Sequence, residues 1–332
     1  MNFFNNLRVG SKILLGFFII LVLMAVTGGI ALFQITRINA SVTELADHLA
    51  KDQDLSDQIV ARILLARFYA NKYIRRQHSD DLKRFNEEFA HFEALLAEAD
   101  REILKDERVK MLASIKTGLQ DYGKSFAEVT RLMAKRRKIL LEVLDIQGPL
   151  AEKKLAQLRE SAFQAKDTIA SFYAADAQRA LLLMRLDAFK YLQQGNTKWV
   201  KKFEERYQET QVAFKKLDEE PQEATRHQLA QEAQAAINLY YQGFSGLQTD
   251  YAQQNQIIET QLNIIGPQIR KTASNMSDSV TADFDETNQA IHALVSYTWI
   301  ELLIMMGLAI LVGLSLAFAI SRSITLPLTR LT

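Results

Sequence analysis

Two uninterrupted apolar stretches, KILLGFFIILVLMAVTGGIALFQI (12–35) and WIELLIMMGLAILVGLSLAFAI (299–320), limit what this chain can fold into more than any other feature. The first runs for about twenty uncharged residues after Lys12, which as a helix spans the ~30 Å of a bilayer's hydrocarbon core. The second is interrupted only by Glu301, near its outer end. A cleaved signal peptide is shorter and ends in a small-x-small site before polar sequence; the first stretch has neither property and reads as a retained anchor. Arg8 and Lys12 precede the first span, and Arg322 and Arg330 follow the second, so the basic residues place both ends in the cytoplasm. The predicted order is a cytoplasmic N-terminus (1–12), a first span (13–35), one domain outside the membrane (36–298), a second span (299–320) and a short cytoplasmic segment (321–332). Tyr297 and Trp299 suit the membrane–water interface.

The chain has no cysteine, which excludes disulfides, thiolate metal sites and cysteine nucleophiles. About 260 residues bury a core without such staples. A net charge of +1 gives no footprint for nucleic acid, and the basic runs at Arg75-Arg76 and from Lys135 to Lys138 read as solvated helix faces. His48, His78, His91, His227 and His292 are scattered without metal-ligand spacing, and no GxSxG, Walker or GxGxxG motif is present. These features predict neither an enzyme nor a metal or cofactor site. Gly28-Gly29 reads as a packing or flexing feature of the first span.

Between the spans proline is nearly absent, and apolar residues recur with a period near 3.6. The fold class is all-α, with helix breaks predicted near RRQHSDD, DREILKDE, IQGPL, QQGNTK, DEEPQE and IIGPQ. Shifting the chain by 118 residues aligns 64–149 with 182–267 without a gap, at about one identity in five. The pairs include Arg67/Arg185, Lys72/Lys190, Tyr73/Tyr191, Phe85/Phe203, Glu87/Glu205, Tyr122/Tyr240 and Phe126/Phe244, and each copy ends in Gly-Pro. The repeat units run over about 47–155 and 165–273. Apolar seams such as Leu112, Ile115, Leu119, Tyr122, Phe126, Val129 and Met133 need partner helices, so two antiparallel helical bundles are expected. Connector lengths alone leave the helix path between them open.

The two spans, the duplicated helical segment between them and ISRSITLPLTRLT (320–332) together resemble the N-terminal part of a bacterial methyl-accepting chemotaxis receptor with a helical bimodular sensor. Pro327, Leu328 and Leu331 resemble the start of a HAMP linker. The resemblance implies a membrane-spanning homodimer in the bacterial inner membrane and a periplasmic domain of two stacked four-helix bundles. It further implies small organic acids among the ligands, and a cytoplasmic adaptor and kinase reached through sequence beyond Thr332. A sensor histidine kinase or cyclase with the same front end, or a sensor of a periplasmic binding protein, stands as the alternative. The dicarboxylate sites of such sensors use arginines three residues apart near the start of the first helix, a pattern not found there in this chain.

Val60, Ile63, Arg67, Ala70 and Ile74 form a stripe that Gln178, Leu181, Arg185, Ala188 and Leu192 reproduce. A guanidinium on an apolar seam keeps its charge and its five donors, so it needs acceptors. A ligand carboxylate supplies them bidentately; a resident glutamate or water does so as well. Glu87 and Glu205 recur with the arginines, but Glu87 falls on the side of its helix away from Phe85, Phe89 and Phe92 and is expected in solvent. The candidate ligand-binding residues are therefore Arg67 and Arg185, then Arg62, Arg179, Tyr122 and Tyr240. Lys72 and Lys190 are expected to be solvated.

Overall fold

The structure, a computed structural model, describes residues 8–219 and 223–328, with side chains for 8, 10–219 and 223–322. Among the described residues there are nine α-helices and three π-helical turns. The helices are α1 (Val9–Thr43), α2 (Ala50–Arg76), α3 (Ser79–Glu102), α4 (Asp106–Ile139), α5 (Asp145–Gln164), α6 (Thr168–Gln194), α7 (Thr197–Asp218), α8 (Ala224–Ile257) and α9 (Asn263–Leu328). The π turns are Glu44–Leu49, Leu140–Leu144 and Ile258–Leu262. The fold is all-α, as the periodicity predicts.

The 118-residue shift is visible in the backbone. It carries Ala50–Arg76 onto Thr168–Gln194, Asp106–Ile139 onto Ala224–Ile257, and the π turn Leu140–Leu144 onto Ile258–Leu262. Even the caps recur: α2 ends on Gln77 (φ 55°) and α6 on its counterpart Gly195 (φ 64°), each donating its N–H to a tyrosine carbonyl, Tyr73 or Tyr191, at 2.8 Å. Glycine takes this left-handed conformation without steric cost; glutamine does not. Asp167 and Asn196 cap α6 and α7 by accepting from Ala170 N and Lys198 N.

Two predicted breaks differ. The Gly-Pro steps at Pro149 and Pro267 lie inside α5 and α9 and do not end a helix. A proline lacks its N–H and crowds the carbonyl four residues back. That residue is Asp145 for Pro149 and Asn263 for Pro267, and each closes a π turn with a shallow ψ, −15° and −10°. The widened turn absorbs the clash, so the helix continues. A reversal occurs instead at Ala165 to Asp167, with Lys166 at φ 60°. Pro221 of the DEEPQE break, and Arg330 and Leu331 of the HAMP-like end, lie outside the described residues; Pro327 and Leu328 form the end of α9.

The chain forms two compact units, one from residues 1–118 with 268–332 and the other from 119–267. Within unit 1, α2 packs on α3, and Leu55, Ile59, Ile63, Phe92, Ile115, Met276 and Val280 are buried. Within unit 2, α5, α6, α7 and α8 enclose one core that includes Leu155, Leu181, Met184, Phe203, Phe214, Ile237 and Phe244. The fourth helix of each sequence copy thus belongs to the unit built mainly from the other copy. Between α4 and α5 the backbone stays in the right-handed helical region through the π turn Leu140–Leu144.

Helices α1 and α9 each hold a segment long and apolar enough to cross a membrane, only 6% and 0% buried. Phe17, Phe18, Leu21, Leu311, Leu314 and Phe318 are more than half exposed. Gln34 Nε2 donates to Glu301 Oε2 at 3.1 Å, which gives the one acidic residue of the second stretch a partner on α1.

Candidate functional site

The apolar face of α6 decides where Arg185 goes. Ala177, Leu181, Met184 and Ala188 are buried at helical spacing, and Arg185 stands at the edge of that line, half-buried. Its Nη1 donates to Glu152 Oε2 on α5 at 2.5 Å, with about a third of each side chain in solvent (32% and 38%). Its other guanidinium nitrogens have no protein acceptor among the described residues. A Cβ added to Gly148 would lie 3.0 Å from Arg185 Nε and 3.1 Å from Tyr240 Cε2, so the missing side chain is what admits the guanidinium beside the phenol ring.

A cavity of about 400 Å³ opens at this point, walled by Leu140, Leu144, Asp145, Arg185, Phe189 and Tyr240. Part of its wall is therefore the π turn Leu140–Leu144, a local geometry that often marks functional positions. Tyr240 is buried, and burial pushes its phenol up to about 12; the Arg185 charge acts in the opposite sense and Asp145 adds to the rise. The hydroxyl stays protonated at neutral pH and can both donate and accept. Stacked rings hold it from behind: Phe203 lies 6.2 Å from Tyr240 and 3.9 Å from Phe244, centroid to centroid. A guanidinium fork and a neutral phenol at one cavity wall can bind a small anion. Among the described residues no group of His, Cys, Asp and Glu is placed to hold a metal ion.

The other sequence candidates are placed differently. On α2 the buried line is Ile59, Ile63, Ala66 and Ala70, while Val60, Arg67 and Ile74 are only half-buried, so the stripe through Arg67 is the flank of the core face. Arg67 makes no ion pair among the described residues. Arg62, on the opposite flank, gives Nη1 to Glu88 Oε2 at 2.7 Å. Arg179 lies on the exposed side of α6, holds Asp176 and Glu209 at 2.9 and 3.0 Å, and is absent from the cavity wall. Tyr122 is buried at 2% exposure. Glu87 is exposed near Lys83 and Arg84, and Glu205 is exposed; neither serves an arginine of the core flank.

Several residues expected in solvent keep part or most of their side chain there and also find partners. Lys72 holds the buried Asp81 at 2.7 Å, and Lys190 stands over the Trp199 ring at 4.4 Å. In the KRRK run, Lys135 holds the buried Asp250 at 2.8 Å and Arg136 stacks on Tyr251 at 4.7 Å. A second pair of repeat-matched arginines, Arg108 and Arg226, lies off any apolar stripe, both more than nine-tenths buried near the starts of α4 and α8. Arg108 bonds Asp52 and Asp283, and Arg226 approaches Asp167 at 3.3 Å. They are identical in the 118-residue register, a signal present in the sequence but overshadowed by the apolar-stripe criterion: each follows polar residues at a helix start.

A family described as a four helix bundle sensory module for signal transduction matches residues 6–180. No curated protein matches the chain.

Proposed function

Because the chain belongs to the family of four-helix-bundle sensory modules for signal transduction, we propose that it is the input part of a transmembrane chemoreceptor that recognises a small organic acid. In this reading the two units form a helical bimodular sensor in the periplasm of a bacterial inner-membrane protein, α1 and α9 supply the spans, and a HAMP linker begins after Ile320. The observation that carries it is the Arg185 guanidinium beside Tyr240 in a solvent-open cavity, with only one of its nitrogens bound to a resident carboxylate. A ligand carboxylate takes the free donors and displaces or shares with Glu152, while Tyr240 bonds a second polar group.

Occupancy matters for signalling only if one helix arrangement binds better than another. Helix α9 is continuous from Asn263 to Leu328, so a slide or rotation within the sensor travels along it toward the linker. A second copy of the chain packs against the unpartnered apolar side chains repeated on α2 and α6, Leu64 with Phe68 and Leu182 with Leu186, all of them exposed.

The test is calorimetry of the full chain in lipid nanodiscs against a panel of organic acids. Saturable binding is expected, weakened about 10- to 100-fold by Arg185→Ala, the value of a charge-assisted hydrogen bond of ~1.5–3 kcal/mol, and strengthened by Glu152→Gln, which removes the internal competitor. Unchanged affinity in Arg185→Ala refutes the site. Silence across the panel instead favours a binding protein as the sensed partner.

Gly148→Ala gives an independent check. The new methyl meets Arg185 Nε and Cδ at 3.0 and 3.2 Å, so the guanidinium must move by a few tenths of an ångström. Stability is expected to stay within about 1 kcal/mol, because alanine's helix preference offsets the crowding. Affinity for the same acids falls, and a variant that binds like the parent places the ligand elsewhere.

A further inference from the structure

Arg108 sits at the start of α4, 2% exposed, where three helices of unit 1 meet. One guanidinium charge serves two carboxylates there. Nη1 donates to Asp52 Oδ2 on α2 at 3.0 Å, and Nη2 donates to Asp283 Oδ2 and to the Ser279 carbonyl on α9, the latter at 3.0 Å. The two carboxylates are held unequally. Asp283 also accepts from Lys105 Nζ on both oxygens, at 2.8 and 2.9 Å, and 27% of its side chain is in solvent. Among the described residues Arg108 is the only ion-pair partner of Asp52, and 9% of the Asp52 side chain is in solvent. A carboxylate that is buried and shares its cation gains most from becoming neutral.

Two of the helices so joined carry, or run directly into, the two apolar stretches. The π turn Glu44–Leu49 links α2 directly to α1, and α9 contains the second stretch. A cavity of about 660 Å³, walled in part by Asp52, Arg108 and Asp283, gives solvent access to the cluster.

We propose that this cluster supplies a second sensory input, the proton: uptake at Asp52 releases α2 from Arg108 while Arg108 remains bound to Asp283 on α9. The proton comes from solvent and adds to an Asp52 carboxylate oxygen; Arg108 keeps its own, and the salt bridge becomes a neutral contact. The inference does not depend on an anion binding at Arg185.

The electrostatic surroundings agree. Burial raises the Asp52 carboxyl above its ordinary value, against the hydrogen bond and charge of Arg108. Burial acts the same way on Asp283, but the bond from Lys105 and the charge of Arg108 prevail and hold it below its ordinary value. The remaining ionisable groups at the cavity are Glu44 and His48 on the π turn and Glu102 at the end of α3, the last paired with Lys51 at 2.9 Å. A charged His48 opposes proton uptake at Asp52, and the charge of Asp283 favours it. Gln53, Ser277 and Asp57 form a separate hydrogen-bonded tie between α2 and α9, so the expected movement is a shift of α2 along its neighbours and not a detachment. Unit 2 lacks the device: Arg226 faces Asp167, whose other task is to cap α6 through Ala170 N.

The absence of native cysteine makes the test direct. Spin labels on Gln58→Cys and Asp285→Cys, exposed on α2 and α9, report the helix separation by pulsed dipolar spectroscopy of the full chain in nanodiscs, from about pH 8 to about pH 4. A distance change with a one-proton midpoint above the ordinary aspartate range is expected, and Asp52→Asn should show the low-pH distance throughout. A flat titration of the parent, or a transition that persists in Asp52→Asn, overturns the proposal. Should Asp52→Asn fail to fold by circular dichroism, infrared difference spectra of the parent decide: a carboxylic-acid band must appear with the same midpoint as the distance change, and its absence overturns the proposal.

Discussion

Arg108→Ala is expected to cost unit 1 about 3–5 kcal/mol, the loss typical when one partner of a buried ion pair is removed and the other keeps its charge. Asp283 retains Lys105, so the penalty falls mainly on Asp52. The loss depends on pH in a defined direction. The Asp52 carboxyl is already raised in the folded protein, so between the ordinary aspartate value and its folded value the native state holds more protons than the unfolded one. Stability in that window falls as pH rises. Removing Arg108 raises the folded value further, so the deficit of the variant should be greatest at neutral pH and shrink on acidification. Hydrogen exchange of α2 and α4 amides at two pH values measures it. A variant as stable as the parent at neutral pH would show that the pair contributes nothing. Adding Asp52→Leu to an Arg108→Met variant, which removes both charges, should restore most of the loss.

Phe244→Ala is expected to destabilise unit 2 by about 3–5 kcal/mol. The ring is 1% exposed, stacks on Phe203 at 3.9 Å and meets Tyr191 edge-on at 5.5 Å. Its removal leaves a hole in the middle of the core and withdraws the support that Phe203 gives the Tyr240 ring. Thermal unfolding followed by tryptophan emission from Trp199, which lies in the same unit, should show a midpoint lower by roughly 10 °C. Phe244→Leu, which keeps most of the volume, should lose much less. Equal losses for the two substitutions would mean that ring stacking, and not volume, dominates.

The site residues divide by what kind of information placed them. Periodicity and duplication single out Arg185 and Tyr240, and both line one cavity. Arg179 falls one residue short of the repeat position of Arg62, and it lies in solvent with Asp176 and Glu209. Periodicity likewise set Arg67 within a core line that the structure runs one residue aside, through Ala66. No local pattern marks Arg108, because a buried cation beside a helix start has no apolar stripe around it. Its burial depends on Asp52 and Asp283, which are distant in sequence and adjacent only after folding.

By itself the sequence determined the helical class, the two apolar stretches and the 118-residue duplication, since each follows from local composition or from self-similarity along one chain. Tertiary structure alone decided which helices share a core, that Gly148-Pro149 continues a helix behind a π turn, and which acid faces each arginine. Those outcomes depend on hydrogen-bond register within a helix and on packing between segments far apart in the chain. Residue type and spacing do not encode either one locally.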